Sequence, residues 1–365
     1  MPPLSVFMQA ECQRRGWGLT DFCRMLGRIP KAAGSKIYNG KQAPSLLQLM
    51  KLSKMFDLPV EEVIKMRIRE EVMQSEQGEV ENPANDELIR LYKTLPVPAL
   101  LKFNWLNVQD PNDTAELIQA LRPYAQDCGA HGLTRKGCST DYSMNQTQQA
   151  WLLHVRRIAQ SLPVDGEYSE ENLRSKLPTL QKLMNISADL GQVVKVLSSC
   201  GIRLVLVECR NGKIDGVCTW LCPDRPVIGL TLRYDRIDNF WFTLRHELEH
   251  VLQGPKVVTD VDCELGKASN GTVNQYEDEA NQAAQDFCLS EDLYSRLVRE
   301  TTSLSADTIV RFAAKNGLNP SVLAGQVRHR LGKYNILTTL MQAFRKDLLK
   351  VAQGVDGWGV IPLRT

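Results

Sequence analysis

The chain has 365 residues, 43% of them hydrophobic and 24% charged, with a formal net charge of +2. That balance supports a sizeable core and two domains, and it excludes a mainly disordered or fibrous chain. No apolar run reaches the roughly 18–20 residues of a membrane span, and the opening MPPLSVFMQAECQRRG lacks the basic-then-apolar order of a secretory leader, so a cytoplasmic protein without a membrane segment is expected.

Charge is uneven along the chain. Residues 1–56 carry five Lys and four Arg against Glu11 and Asp21, a balance of 9 − 2 = +7, which leaves about 2 − 7 = −5 for the rest. A basic head on a slightly acidic body suggests a polyanionic partner for the head. Within residues 1–70 the apolar spacing predicts five short helices: Leu4–Arg15, Leu19–Leu26, Pro30–Tyr38, Ser45–Phe56 and Val60–Met66. Pro30 suits a first helical turn, Asn39-Gly40 ends that helix, and Ser45 is an N-cap. Two short helices joined by a tight turn at Gly27-Arg28-Ile29 have helix-turn-helix arithmetic. Gly34 inside the second departs from good helix chemistry by about 1 kcal/mol relative to Ala.

The run from LTDFCRMLG through IPKAAGSKIYNGKQAPSLLQLMKLSKMFDLPVEEVI resembles the Cro/C1, or Xre-type, DNA-binding family over about 50 residues. The resemblance implies that Pro30–Tyr38 is a recognition helix. Lys31, Ser35, Lys36 and Asn39 would then reach bases or nearby phosphates of operator DNA, with Arg28, Lys41 and Gln42 on the backbone. It also implies a homodimer, since such domains read palindromes. A helical protein-docking module is the competing reading.

Residues 71–147 read as linker and connector. Glu70–Asp86 is polar and acidic, Glu87–Leu106 and Thr114–Ala125 have helical spacing, and Cys128–Thr147 reads as a loop holding His131 and Cys138.

From residue 148 onward, Gln149–Gln160 and Asn172–Ala188 read as amphipathic helices. Ile202–Cys209, Ile214–Leu221 and Val227–Leu232 are β-rich runs separated by Asn211-Gly212 and Pro223-Asp224, the pattern of an antiparallel meander. Ten cysteines follow no repeating frame, and Cys218 and Cys222 lack the second pair of a zinc ribbon, so reduced, packing cysteines are expected. Next comes DRIDNFWFTLRHELEHVLQG, residues 235–254. It contains an HExxH pentapeptide and two of the chain's five histidines. On a helix His246 and His250 lie one turn apart on one face, where two imidazoles can hold one Zn2+. Glu247 beside them is the natural base for a water at that ion.

A third ligand is needed, and QYEDEANQAAQDF, residues 275–287, offers Glu277, Asp278 and Glu279. Glu277, 27 residues beyond His250, is the metal candidate; Asn281, four residues on, is placed to hydrogen-bond a ligand histidine. His329, with Tyr334 behind it, is the candidate for steadying an oxyanion.

The strand-rich run, then LRYDRIDNFWFTLRHELEHVLQG, then EDEANQAAQDF, resembles the ImmA/IrrE family of metallopeptidases over roughly residues 195–290. Joined to the head, it resembles that family's fused antitoxin/regulator branch. The resemblance implies His246, His250 and Glu277 as zinc ligands and Glu247 as general base. Two features depart from the family: Glu249, where a small residue is common, and Phe287-Cys288-Leu289-Ser290 after the glutamate helix. Pro255–Asn274 reads as a flap or a plain loop, and Met341–Thr365 as an interaction tail or a docked terminus.

The expected fold class is multidomain: an all-α helix-turn-helix domain (1–70), a connector (71–147), and an α+β zincin-like domain with a small antiparallel or mixed sheet (148–365). The expected function is a DNA-binding regulator whose zinc peptidase cleaves a specific repressor or partner protein. The alternative is a non-proteolytic antitoxin that represses its own operon and binds a cognate toxin.

Overall fold

A computed structural model describes residues 2–74, 83–111, 113–131, 144–186, 190–209, 212–255, 272–301 and 303–359. The chain divides into two compact units, residues 1–140 and 141–365. Among the described residues it is mostly helical, with one four-stranded mixed sheet, and no helix is long and apolar enough to cross a membrane.

In the first unit α1 (Leu4–Arg14), α2 (Leu19–Met25), α3 (Lys31–Tyr38), α4 (Leu46–Phe56) and α5 (Val60–Gln74) enclose a core that includes Leu4, Met8, Phe22, Leu26, Ile37, Leu49, Leu52 and Val63. Each such apolar side chain contributes about 1.5–3 kcal/mol through burial. Ser45 starts α4 with a reciprocal cap. Its hydroxyl accepts from Gln48 N at 3.4 Å, and the Gln48 side chain accepts from Ser45 N at 2.7 Å. The glycine that looked costly in α3 has a packing reason: a Cβ on Gly34 would sit 2.2 Å from Cys23 Sγ, so only hydrogen there lets α2 and α3 close. Helix α5 runs eight residues past its expected end at Met66, and its buried Glu70 accepts from Ser5 N at 2.9 Å near the start of α1.

The unit continues with α6 (Pro83–Thr94), α7 (Val97–Lys102) and α8 (Thr114–His131), where Tyr92, Leu95, Leu100 and Leu121 are buried. Glu87 of α6 holds Arg122 of α8 in a two-pronged ion pair at 2.8 and 3.0 Å. His131, expected in a loop, is the last residue of α8. Positions 75–82 of the expected linker, and Cys138, lie outside the described residues.

The second unit opens with α9 (Gln146–Ser161), α10 (Glu170–Ile186) and α11 (Leu190–Ser199), followed by β1 (Arg203–Val207), β2 (Gly216–Trp220) and β3 (Pro226–Leu230). The antiparallel meander is half right. Strands β2 and β3 form an antiparallel hairpin across Pro223-Asp224, with Leu221 N donating to Arg225 O at 3.0 Å. Strand β1, however, runs parallel to β3, which lies between it and β2. The β1–β2 connection is too long for a tight hairpin, and all three strands are buried along their whole length. Strands covered on both faces pair by the layers above and below them, which turn residues do not reveal. A Cβ on Gly229 would touch Val155 of α9, whereas Leu230 and Cys218 join the core of the opposite face.

That opposite face is covered by α12 (Ile237–Gln253), which runs beside α13 (Thr272–Cys288). Then come α14 (Glu291–Glu300), α15 (Ala306–Asn316), α16 (Pro320–Leu331) and α17 (Arg345–Val351). The tail docks: β4 (Gly354–Asp356) adds to β1 in parallel, giving the order β2-β3-β1-β4. Asp356 of β4 meets His154 Nε2 of α9 at 2.5 Å. Residues 256–271 of the polar insertion and 360–365 of the tail lie outside the described residues. Seven described cysteines are free, six of them buried, as packing residues should be.

Candidate metal centre

Helix α12 is buried on nearly every side, and its polar residues are part of what it buries: Asp238, Thr243, Arg245, His246, Glu247 and His250. Buried polar groups at this density require partners. Asp238 is held by Arg236, and Glu249 turns to Arg245 Nη2 at 2.7 Å, away from the histidine face. Glu249 therefore leaves the His246–His250 pair undisturbed.

Helix α13 reaches α12 through small residues. Ala280 and Ala284 are fully buried, and Glu277 stands one turn before Ala280 on the same face. Asp278 and Glu279 are exposed. One acid of the three therefore turns inward, and it is the expected one. Glu277 Oε1 lies 3.1 Å from His250 Nε2, Glu277 Oε2 lies 3.4 Å from His246 Nε2, and the two Nε2 atoms are 3.0 Å apart. His246, His250 and Glu277 thus form a donor set able to hold a metal ion. A tetrahedral ion with bonds of about 2.0–2.1 Å needs donors about 3.3 Å apart; the two Nε2 atoms are 3.0 Å apart and each has a different Glu277 oxygen at 3.1 or 3.4 Å, close to that spacing.

The charges of the three groups are coupled. Burial alone would push the Glu277 carboxyl up, but hydrogen bonds from His246 and His250 outweigh it and hold the group at about 2. Burial alone would lower His250; the Glu277 hydrogen bond and the Glu247 charge more than offset it, so His250 is raised above its ordinary value.

Gln253 orients His250, a role expected of Asn281. Gln253 Nε2 donates to Tyr276 O at 3.0 Å, which fixes the amide so that its Oε1 faces His250 Nδ1 at 2.8 Å. The Nδ1 proton is thereby assigned, which in the neutral imidazole leaves the Nε2 lone pair free for a metal ion. Asn281 Oδ1 is buried with no hydrogen-bond partner among the described residues, so it does not orient a ligand histidine. The signal for Gln253 was its place three residues beyond His250; that the amide also reaches α13 could not be read from spacing.

Glu247 is 1% exposed and lies against the edge strand. A Cβ on Gly216 of β2 would come within 2.5 Å of Glu247 Oε1 and 2.8 Å of Thr243 Cγ2. The carboxylate is therefore seated against the β2 backbone, where a side chain at position 216 would displace it. His329 is half-buried, with the Phe242 ring 6.1 Å away; the same ring is 6.5 Å from that of His246. Burial first, then the Arg330 charge, lower its pKa, favouring the neutral imidazole. Tyr334 is exposed, with the Arg328 guanidinium over its ring.

On the first unit, Arg28, Lys31, Lys36, Asn39, Lys41 and Gln42 are exposed and Ser35 is half-buried. Asn39 Nδ2 donates to Ser35 O at 2.8 Å, which ties the end of α3. Glu11 and Asp21 are occupied by Arg14, Arg15 and Arg24. Arg28, Lys31, Lys36 and Lys41 have no carboxylate within 4.0 Å among the described residues. No protein-family model, no curated protein and no solved structure matches the chain.

Proposed function

We propose that the chain is a DNA-binding regulator whose second unit is a zinc-dependent endopeptidase acting on one or a few partner proteins. The observation that carries the reading is the buried His246–His250–Glu277 set, with Glu247 next to it. Two imidazoles and one carboxylate are a ligand set of catalytic zinc, which keeps a fourth position open. When bound, zinc acidifies water toward neutrality and polarises a carbonyl.

The chain's own residues supply the rest. Gln253 holds His250 in one tautomer. Glu247, against the backbone of β2, takes the proton of the attacking water and passes it to the leaving amine. The edge strand β2 supports a peptide substrate, because an edge can pair with an extended chain. His329 is the proposed donor to the oxyanion, lying across the Phe242 ring from His246. The unpaired cations around α3 support operator DNA as the partner of the first unit.

The test uses the full chain. Zinc content is measured in wild type, His246→Ala, Glu277→Ala and Glu247→Gln, and each is co-expressed with the product of the neighbouring gene. The expected outcome is zinc lost from the first two variants and kept by the third, with partner cleavage by wild type only. Zinc retained by His246→Ala would overturn the ligand set. A stable, uncleaved complex with wild type, together with equal toxin neutralisation by Glu247→Gln, would replace the peptidase by the non-proteolytic antitoxin. For the first unit, Lys31→Ala with Lys36→Ala should weaken operator binding and flatten its salt dependence. Unchanged binding would remove α3 as the DNA-contacting helix, and no operator binding by wild type would make the unit a protein-docking module.

A further inference from the structure

A second site stands in the same unit, independent of the metal reading. A cavity of about 460 Å³ lies beside the start of β1, walled by α11, by residues 162–165 after α9, and by the stretch leading into β4. Arg203, the first residue of β1, lines it and is only 7% exposed. Arg203 Nε donates to Leu162 O at 3.1 Å, and Nη1 reaches Gly201 O at 3.5 Å. Among the described residues no carboxylate lies within 4.0 Å of this guanidinium, and its Nη2 has no acceptor.

A buried guanidinium without a counter-ion is costly. The Leu162 carbonyl, just past the C-terminus of α9, offsets part of that cost. The other charges at the cavity do not offset the rest. Asp165, whose carboxylate accepts from Ser198 Oγ at 2.7 Å, and Lys195, an exposed cation, also line the cavity, and with Arg203 they leave it a net charge of 2 − 1 = +1. Asp224 and Arg225, one of each sign, act on Arg203 from outside the lining. Leu162, Val194, Ile202 and Val351 make the remaining wall apolar.

The geometry points to a binding site for a small organic carboxylate, its head on Arg203 Nη2 and Lys195 and its apolar body along Leu162, Val194, Ile202 and Val351. The volume falls in the range of small-molecule sites, about 300–1,000 Å³. One free Nη2 and one ammonium match a single carboxylate; a phosphate dianion asks for more donors.

Octanoate is the probe, titrated calorimetrically into the full-length chain, with octan-1-ol and inorganic phosphate as comparisons. Octanoate is expected to bind and raise the thermal midpoint, with octan-1-ol and phosphate at least tenfold weaker. Arg203→Met should weaken octanoate at least tenfold, and Lys195→Ala a few-fold with a shallower salt dependence. Equal binding of octanoate and octan-1-ol, tighter binding of phosphate, or no octanoate heat at millimolar concentration would overturn the proposal. So would unchanged affinity in an Arg203→Met chain that keeps the wild-type circular dichroism. If Arg203→Met does not fold, Lys195→Ala decides: unchanged affinity and salt dependence there would also refute the site.

Discussion

Replacing Gly34 by Ala should loosen the α2–α3 pair, although Ala is the better helix residue. In an open helix the exchange gains about 1 kcal/mol. Here the added Cβ would meet Cys23 Sγ at 2.2 Å and Ile29 Cδ1 at 3.4 Å, whereas non-bonded heavy atoms settle at about 3.5–4.0 Å. Gly34 and Cys23 are both buried, so the helices must separate or shift. Overpacking costs about 1–3 kcal/mol, and so close a clash belongs near the upper end, which leaves a net loss of about 1–2 kcal/mol. Cys23→Ala alone removes one buried sulfur and should cost about 1 kcal/mol. In the double variant the new methyl occupies the space of the sulfur, because Cys23 Cβ at 3.6 Å is an ordinary contact. The double variant should return close to wild type, a coupling of about 2 kcal/mol. Hydrogen exchange read by mass spectrometry on α2–α3 peptides is the suitable assay, since two units need not unfold in one step. Gly34→Ala should speed exchange about 5–30-fold. If the losses of the two single variants simply add in the double, the close approach of the helices is not what requires glycine.

Three further outcomes are expected. Gln253→Leu removes the acceptor of His250 Nδ1 and should weaken zinc binding about 10–100-fold without unfolding α12, measured by chelator competition; unchanged affinity would assign the orienting role elsewhere. Zinc affinity should fall about tenfold per unit as pH drops below the raised pKa of His250, because the metal needs that nitrogen unprotonated while Glu277, at about 2, stays ionised. Glu247→Gln removes a charge that raises His250, so the inflection should move to lower pH, and a fixed inflection would refute that coupling. Gly216→Ala should lower stability by about 1–3 kcal/mol and displace Glu247, with zinc content retained; an unchanged thermal midpoint would show that the contact yields freely.

Much of the molecule was legible in local chemistry. The helices of residues 4–56 end within a residue or two of where apolar spacing, Pro30, Ser45 and Asn39-Gly40 put them. Helical spacing alone put His246 and His250 on one face, and the alanines of residues 280–284 marked the face by which α13 meets α12. These are properties of one turn of helix, and the sequence determines them because their period is local. What crosses between distant segments was decided only by the tertiary structure. The parallel pairing of β1 with β3 depends on layers covering both faces of the sheet. Strand β4 is three residues long and carries no period of its own; it exists because β1 offers it an edge and His154 meets Asp356. Gly34 looked like a flaw until Cys23 lay against it, and Gln253 looked like an ordinary helix end until its amide reached Tyr276. Residue types state what chemistry is available, but a hydrogen bond or a missing Cβ acquires meaning only from the neighbour that folding brings to it.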